Sequence, residues 1–243
     1  MYSIHHLFRK VLIIACPLCG MAARAGDLCE GCARDVLRIH QSGAWCLQCA
    51  VRVDQGRQRC NQCVHANPAY IQTITAMDYA YPGALLVRGL KERGRLAEAG
   101  LFARMLANTL ATHPHALPAL GALVPIPSSR ASLQKRGFSP AAEIARALSA
   151  QLTVPLKPWL QRTREGGIQK ALDFEARRQS VRGLYDCIRT VPPVWVGVVD
   201  DVLTSGSTMH EAALALKRAG ALGAVALVAA RTAWAPTLPE TEM

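Results

Sequence analysis

The sequence predicts an α/β protein, a parallel sheet with helices on both faces preceded by a small cysteine-rich module, and three observations lead there. From Tyr70 onward, apolar strand-like runs alternate with segments of helical period. Two late runs, VWVGVVDD and GAVALVAAR, are apolar at nearly every position, the pattern of strands covered on both faces. Eight of the nine cysteines stand in four Cys-x-x-Cys pairs before Asn67, in a stretch with no long apolar period.

The 243 residues are 51% hydrophobic and 19% charged, enough to bury one core of ordinary size with an appendage. The change of texture places a boundary near Asn67, giving a cysteine-rich module over 1–67 and an α/β domain over 68–243. The elements of the second part follow in order. YIQTITAMDYAY reads as a strand, and 83–110 as a helical region that Gly94 divides in two. ALVPIPSS reads as the next strand. Ser139 and Pro140 supply an N-cap and a first helical position for a helix whose apolar face is Ala141, Ile144, Ala145 and Leu148. After VWVGVVDD comes a helix with Met209, Ala212, Ala213 and Leu216 on one face, closed by Gly220 and followed by GAVALVAAR.

No run reaches the roughly 18 apolar residues that a membrane span needs. Arg9 and Lys10 followed by VLIIAC have the outline of a lipoprotein signal ending at Cys16, but the apolar core, 11–15, is shorter than the roughly seven residues required. The expectation is a cytoplasmic chain. Its formal net charge of +11 and pI near 9.6 favour an anionic partner such as a nucleotide, a diphosphate or nucleic acid, without the like-charge run that builds a tail.

The cysteine pairs are Cys16/Cys19, Cys29/Cys32, Cys46/Cys49 and Cys60/Cys63, with Cys187 left alone. A two-residue gap lets both thiolates face one ion while amides of the tight turn support the sulfurs, so eight thiolates make two structural zinc sites in a reducing compartment. Iron–sulfur clusters are the alternative occupant. Filling in sequence gives two ribbons in tandem, which the matching loops between pairs favour, and interleaving gives a cross-braced unit. A closed four-thiolate site has no open position for water, so no catalysis is assigned to zinc.

The stretch VVDDVLTSGSTM places two acids at a strand end, then a small-residue loop, then a helix start. Unsatisfied amides and the positive end of a helix favour phosphate there, and Thr204, Ser205, Gly206, Ser207 and Thr208 supply a loop compact enough to wrap one. Asp200 and Asp201 would repel that phosphate unless a group with hydroxyls lay between, which points to a 5-phosphoribosyl ligand. An acidic strand end with a Ser/Thr cap explains single residues of this set and not the whole of it.

This stretch resembles the 5-phosphoribosyl 1-diphosphate (PRPP) signature of type I phosphoribosyltransferases. Together with the cysteine pairs and with VRGLKERGRLAEAG, VPIPSSRASLQKRGFSPAAEIA and RTREGGIQKALDFEARRQSVRGLYDC, it identifies the chain as similar to the ComF/GntX family over nearly its whole length. That family joins a double zinc ribbon to a type I phosphoribosyltransferase-like domain and is associated with DNA uptake in natural competence, or with gluconate-linked roles. Two positions depart from its pattern: the usual Thr-x-Gln is Gly167-Ile168-Gln169, and the usual Asn after the arginines is replaced near Gln179-Ser180. The resemblance implies Asp200 and Asp201 as the catalytic pair on the ribose hydroxyls, with residues 204–208 on the 5-phosphate. It implies Lys91, Arg130 and Arg136 on the diphosphate, and Arg162, Arg164, Gln169 and Arg177 in a mobile loop that closes over the site.

The chemistry so implied is displacement of diphosphate from ribose C1 with Mg²⁺ bridging sugar and diphosphate. No acceptor motif is visible; Trp159 and Tyr185 are either an acceptor platform or core. Two functions are therefore expected. One is a PRPP-binding protein of DNA uptake that also grips single-stranded DNA and competence-machinery proteins; the other is a phosphoribosyltransferase acting on an unknown acceptor.

Overall fold

The computed structural model of the chain describes residues 13–24, 26–37, 44–113, 117–165 and 180–233. The cysteine-rich part repeats one small layout twice. In the first copy β1 (Ile13–Ala15) and β2 (Ala22–Arg24) form an antiparallel hairpin followed by α1 (Glu30–Val36). In the second, β3 (Ala44–Trp45) and β4 (Arg52–Val53) are followed by α2 (Asn61–Ala66). Each hairpin carries the first cysteine pair of its copy, and each helix start carries the second. The tandem arrangement is the one adopted, with Cys16, Cys19, Cys29 and Cys32 gathered apart from Cys46, Cys49, Cys60 and Cys63.

The second part contains β5 (Gln72–Asp78), α3 (Ala84–Arg93), α4 (Ala97–Ala111), β6 (Leu120–Pro125), α5 (Arg130–Arg136), α6 (Pro140–Leu152), β7 (Leu160–Arg162), β8 (Tyr185–Cys187), β9 (Trp195–Leu203), α7 (Ser207–Arg218) and β10 (Gly223–Arg231). Four of the strands form a parallel sheet in the order β5-β10-β9-β6. Beyond β6, Leu156 pairs in parallel with Leu123 and extends that edge by one residue. The fold is α/β, as the continuous apolar runs require.

The two faces are legible along β10. Ala224, Ala226 and Val228 pack with Met209, Ala212, Ala213 and Leu216 of α7, whereas Val225, Leu227 and Ala229 pack with Leu86 of α3, Phe102 of α4 and Ile144 and Leu148 of α6. Successive side chains of a strand point to opposite faces, so an apolar residue at every position means a core on each side. The apolar face expected of α6 is buried at all four positions, and Ser139 caps the helix by accepting from the Ala142 amide at 3.4 Å.

Three element ends differ from the sequence reading. β6 begins at Leu120 and ends at Pro125 instead of running to Ser129, because Pro127 has no amide to offer a ladder. β9 continues past its two acids to Leu203, because β10 runs on beside it to the pair Arg231–Leu203. The β7–β8 hairpin and the short α5 carry too few residues for a periodic signal. Gly94 does divide the helical region, at φ +64°, where a left-handed residue closes α3.

The cysteine module is not held at arm's length. Val36 of α1 shares the core of α4 with Leu18 and Leu28, and Arg104 Nε donates to Asp27 Oδ1 at 2.7 Å. The second copy meets the entrance of β5: Gln48 Nε2 donates to the Pro68 and Tyr70 carbonyls, each at 2.9 Å, and Thr73 Oγ1 donates to the Gln48 carbonyl at 2.7 Å. Among the described residues no helix is long and apolar enough to cross a membrane.

Gly197 lies where the core is tightest, since a Cβ there would stand 2.7 Å from Leu123 Cδ2 and 2.8 Å from Leu227 Cδ1. Gly197→Ala is expected to destabilise by about 1–3 kcal/mol through overpacking and Leu227→Ala by about 2–5 kcal/mol through a cavity. The double variant is expected to cost less than the two together, because the new methyl fills space that the leucine leaves. Urea unfolding of the three variants measures this; strict additivity would show that Leu227 does not bound the Gly197 site.

Candidate functional site

β9 and β6 are neighbours, yet the chain leaves β9 into α7 on one face and leaves β6 toward α6 on the other. A crevice therefore opens between their carboxyl ends, the place where open parallel sheets take ligands. The Ile126 amide makes the last bond from this side, to the Val199 carbonyl at 2.9 Å, and beyond it the edge of β9 is free. Asp200 and Asp201 occupy that free stretch and, by strand alternation, face opposite sides of the sheet.

Asp201 meets Lys91 Nζ of α3 at 2.9 Å. Asp200 takes the Asp201 amide on its own Oδ1 at 2.8 Å and stands on the α7 side, where its charge bears on Tyr185. Burial first, and the Asp201 carboxylate second, push the Asp200 carboxyl up to about 7, while Lys91 pulls it the other way. Gly89, two residues before Lys91 in α3, has no side chain where the Glu98 carboxylate packs.

The loop after β9 is shaped by one glycine. Gly206 has φ +78°, and a Cβ on it would stand 2.8 Å from the Tyr70 hydroxyl, so conformation and space both require Gly. Ser205 Oγ accepts the Ser207 amide at 3.3 Å and donates to Ser207 Oγ at 3.0 Å, folding the loop on itself. The Ncap residue of α7 offers no side-chain cap and its first turn holds no acid, so the positive end of this 12-residue helix is open to an anion. Thr204 is exposed, and Thr208 is half-buried in the first turn.

The basic residues are spread more widely. Lys91 is committed to Asp201. Arg130 is exposed, with its amide on Glu165 Oε2 at 3.0 Å and its Nε 3.8 Å from Oε1. Arg136 turns back along α5 to the Ser132 carbonyl at 3.4 Å. Arg162 belongs to β7 and lies over the Tyr185 ring at 5.9 Å, and Arg164 donates to the Ser180 and Arg182 carbonyls at 3.1 and 2.9 Å. Arg164 thus ties together the two sides of 166–179; Gln169 and Arg177 lie outside the described residues. Trp159 and Tyr185 are buried in the core. The sequence reading missed Arg231, whose buried guanidinium reaches the Leu203 and Thr204 carbonyls at the root of the loop. A charge closing an otherwise apolar strand was the signal available.

In both cysteine sets the four sulfurs lie within 4.8 Å of one another. Without a cation they compete for protons: hydrogen bonds from Cys49 and then Cys63 push the Cys46 thiol far down, and Cys46 and Cys49 push the Cys63 thiol far up. In the first set, backbone amides of Cys29, Cys19 and Leu18 outweigh burial and draw Cys16 down to about 6. Four sulfurs at this spacing with amide support can hold a structural zinc ion each.

No family model matches the chain. It is 26% identical over 199 residues to the Competence protein F of Haemophilus influenzae, which covers 79% of this chain and 85% of that protein. It is 29% identical over 219 residues to the DNA utilization protein YhgH of Salmonella typhi, covering 85% of this chain and 92% of that one. Over most of its length the chain is thus similar to proteins named for competence and for DNA utilization. The protein of the same YhgH name in Escherichia coli K12 is 27% identical over the same length, so in both comparisons the ComF-type match spans cysteine module and sheet together.

Elemental analysis is expected to find about two zinc ions per chain, and Cys29→Ser to remove one of them. An iron–sulfur absorption band or a metal-free folded protein would overturn this. Asp200 supplies a second test through its pH dependence. Its folded pKa lies above the unfolded one, so the stability it allows is full below about pH 4 and is lost as pH rises through about 7. Asp200→Asn removes that loss and is expected to raise Tm at pH 8 while leaving it almost unchanged at pH 4, read by differential scanning calorimetry at both values.

Proposed function

We propose that this chain, similar to ComF-type proteins, binds PRPP, or a closely related 5-phosphoribosyl ligand, at the β9–α7 loop, and that it serves DNA uptake by also gripping single-stranded DNA. The observation that carries the first half is the set formed by two carboxylates, a folded small-residue loop and an uncapped helix start in one crevice. The 5-phosphate would lie on the loop amides of 204–208 at the positive end of α7. The ribose hydroxyls would donate to Asp200 and Asp201. Lys91, released from Asp201, would turn to the diphosphate, with Arg130 and Arg136 on the facing segment. Mg²⁺, a hard cation suited to carboxylate and phosphate oxygens, would neutralise diphosphate charge when bound.

The second half draws on the printed names of the relatives, on the net charge of +11, and on a groove of about 580 Å³ beside the phosphate crevice. The groove runs between the second cysteine set and α7 and carries Arg59 and Lys217 on its walls. Basic groups against a sugar-phosphate chain release counterions, so such binding weakens as salt rises.

The experiment is titration of the wild type and of the Asp200→Asn/Asp201→Asn double variant. With Mg²⁺ present, calorimetry is expected to show PRPP affinity falling at least about tenfold in the double variant, since hydrogen bonds to charged groups contribute roughly 1.5–3 kcal/mol each. Single-stranded DNA lacks the ribose 2-hydroxyl and should bind the variant as well as the wild type, with a log–log salt slope of about −0.7 per phosphate contacted. Equal PRPP affinity in both proteins would overturn the ribose assignment, and a flat salt response would overturn the electrostatic one. Diphosphate release on adding nucleobases would establish turnover.

A further inference from the structure

Arg231 is 2% exposed; the charge of Asp78, its register partner on β5, bears on it, but among the described residues no carboxylate forms an ion pair with it. Its guanidinium is met by four backbone carbonyls and by the Thr232 hydroxyl, 3.1 Å from Nη1. Nε donates to the Cys49 carbonyl at 2.7 Å, and Nη1 is shared among the carbonyls of Leu203 at 3.0 Å, Thr204 at 2.7 Å and Thr232 at 2.7 Å. Cys49 belongs to the second thiolate set, and Leu203 and Thr204 are the last strand residue and the first residue of the phosphate loop. A planar, permanently charged fork with fixed donor directions therefore joins the two. Around it the same parts converge again: Cys49 and Cys63 border, with Ser205, Gly206 and Ser207, a cavity of about 30 Å³, room for roughly one water. Tyr70, in the segment that Gln48 anchors, presses its hydroxyl against Gly206.

We propose that Arg231 is a positioning residue that makes the phosphate loop dependent on the second thiolate centre, so that metal held by Cys46, Cys49, Cys60 and Cys63 sets the loop's affinity for a phosphorylated ligand. Nη1 has several acceptors to share, but the Cys49 carbonyl is the one acceptor that Nε meets among the described residues, and losing it leaves a buried, desolvated donor unmade. Metal fixes the turn that carries the Cys49 carbonyl. That carbonyl fixes the guanidinium, and the guanidinium fixes where Leu203 and Thr204 turn away from the sheet. When the thiolates lose their ion, the Cys49 turn is released and the loop loses the anchor at its root. The second cysteine set is then a wall of the phosphate site, and the first, docked on α4 through Arg104, is not. The effect on ligand rests on the phosphoribosyl reading, whereas the effect on the loop does not.

The test uses the full chain with Arg231→Met, Arg231→Lys, Cys60→Ser and the double variant Cys60→Ser/Arg231→Met. Cys60→Ser empties the second centre while leaving the Cys49 backbone in sequence. Zinc content, hydrogen–deuterium exchange of the peptide covering 200–209, and PRPP affinity by calorimetry are measured on each. Arg231→Met is expected to keep both zinc ions, to speed exchange at 204–208 by about tenfold and to weaken PRPP by about tenfold, the scale of a lost outer-shell partner. Cys60→Ser should do the same with one zinc fewer, and the double variant should add little to either, because both cut one chain of contacts. Exchange in β10 and α6 should stay as in the wild type, which a general loss of stability would not allow. If Arg231→Met fails to fold, Arg231→Lys, which keeps the charge and gives up the fork, carries the comparison and should fall between. Loop exchange within about twofold of wild type in Cys60→Ser would overturn the proposal. A wild type that ignores PRPP while its loop responds to Cys60→Ser would overturn the phosphoribosyl reading and leave the coupling standing.

Discussion

β9 and β10 are buried on both faces, and that constraint decides where everything else in the molecule stands. An apolar face above and below leaves no room for a polar side chain along these strands, so polar residues collect at their ends. Parallel pairing then puts all the carboxyl ends on one side. Asp78, Asp200, Asp201 and Arg231 therefore come from three strands distant in sequence and finish at one rim. The helix covering each face decides from which direction that rim is reached. Lys91 arrives from the α3 side and Tyr185 from the α7 side, and the two aspartates divide between them.

The same constraint explains what could be read from residues alone. Apolar runs without alternation announce a doubly covered sheet, and VVDDVLTSGSTM announces a strand end, a tight small-residue loop and a helix start, because both signals are local. The cap at Ser139, the divider at Gly94 and the four buried positions of α6 were equally local, and the structure keeps them. What could not be read is held by groups far apart along the chain. Lys91 sits 110 residues from Asp201, and Arg231 sits 182 residues from Cys49; nothing in either neighbourhood names the partner. The hairpin of β7 and β8 was hidden for another reason. Three residues per strand offer no period to detect, and its two sides are joined by a ladder and by Arg164, not by a turn signal.

The cysteine pairs are the plainest motif in the sequence and were the easiest to underrate. Texture alone suggests an appendage with its own source of stability, since a stretch so poor in apolar period must be held by metal. The geometry adds that each copy is also fastened to the sheet domain at a particular place. The first shares the core of α4, and the second supplies donors and acceptors to the start of β5 and to the end of β10. A boundary at Asn67 separates two compositions and passes through a continuous seam of hydrogen bonds.

That seam has a bearing on how copies of the chain behave toward each other. β5 is the outer strand of the parallel sheet, and an outer strand offers a row of backbone groups to any passing strand. Gln48 satisfies the carbonyls of Pro68 and Tyr70 at its approach, and Thr73 returns a bond to the Gln48 backbone, so the second cysteine set covers this end of the edge. At the opposite margin Leu156 covers β6 in the same way. The turn of the second cysteine set is thus also a guard against cross-chain strand pairing. Loosening the turn that carries Gln48 would uncover the backbone of β5 beside Thr73, and an outer strand so uncovered is open to pairing with a strand of a second copy.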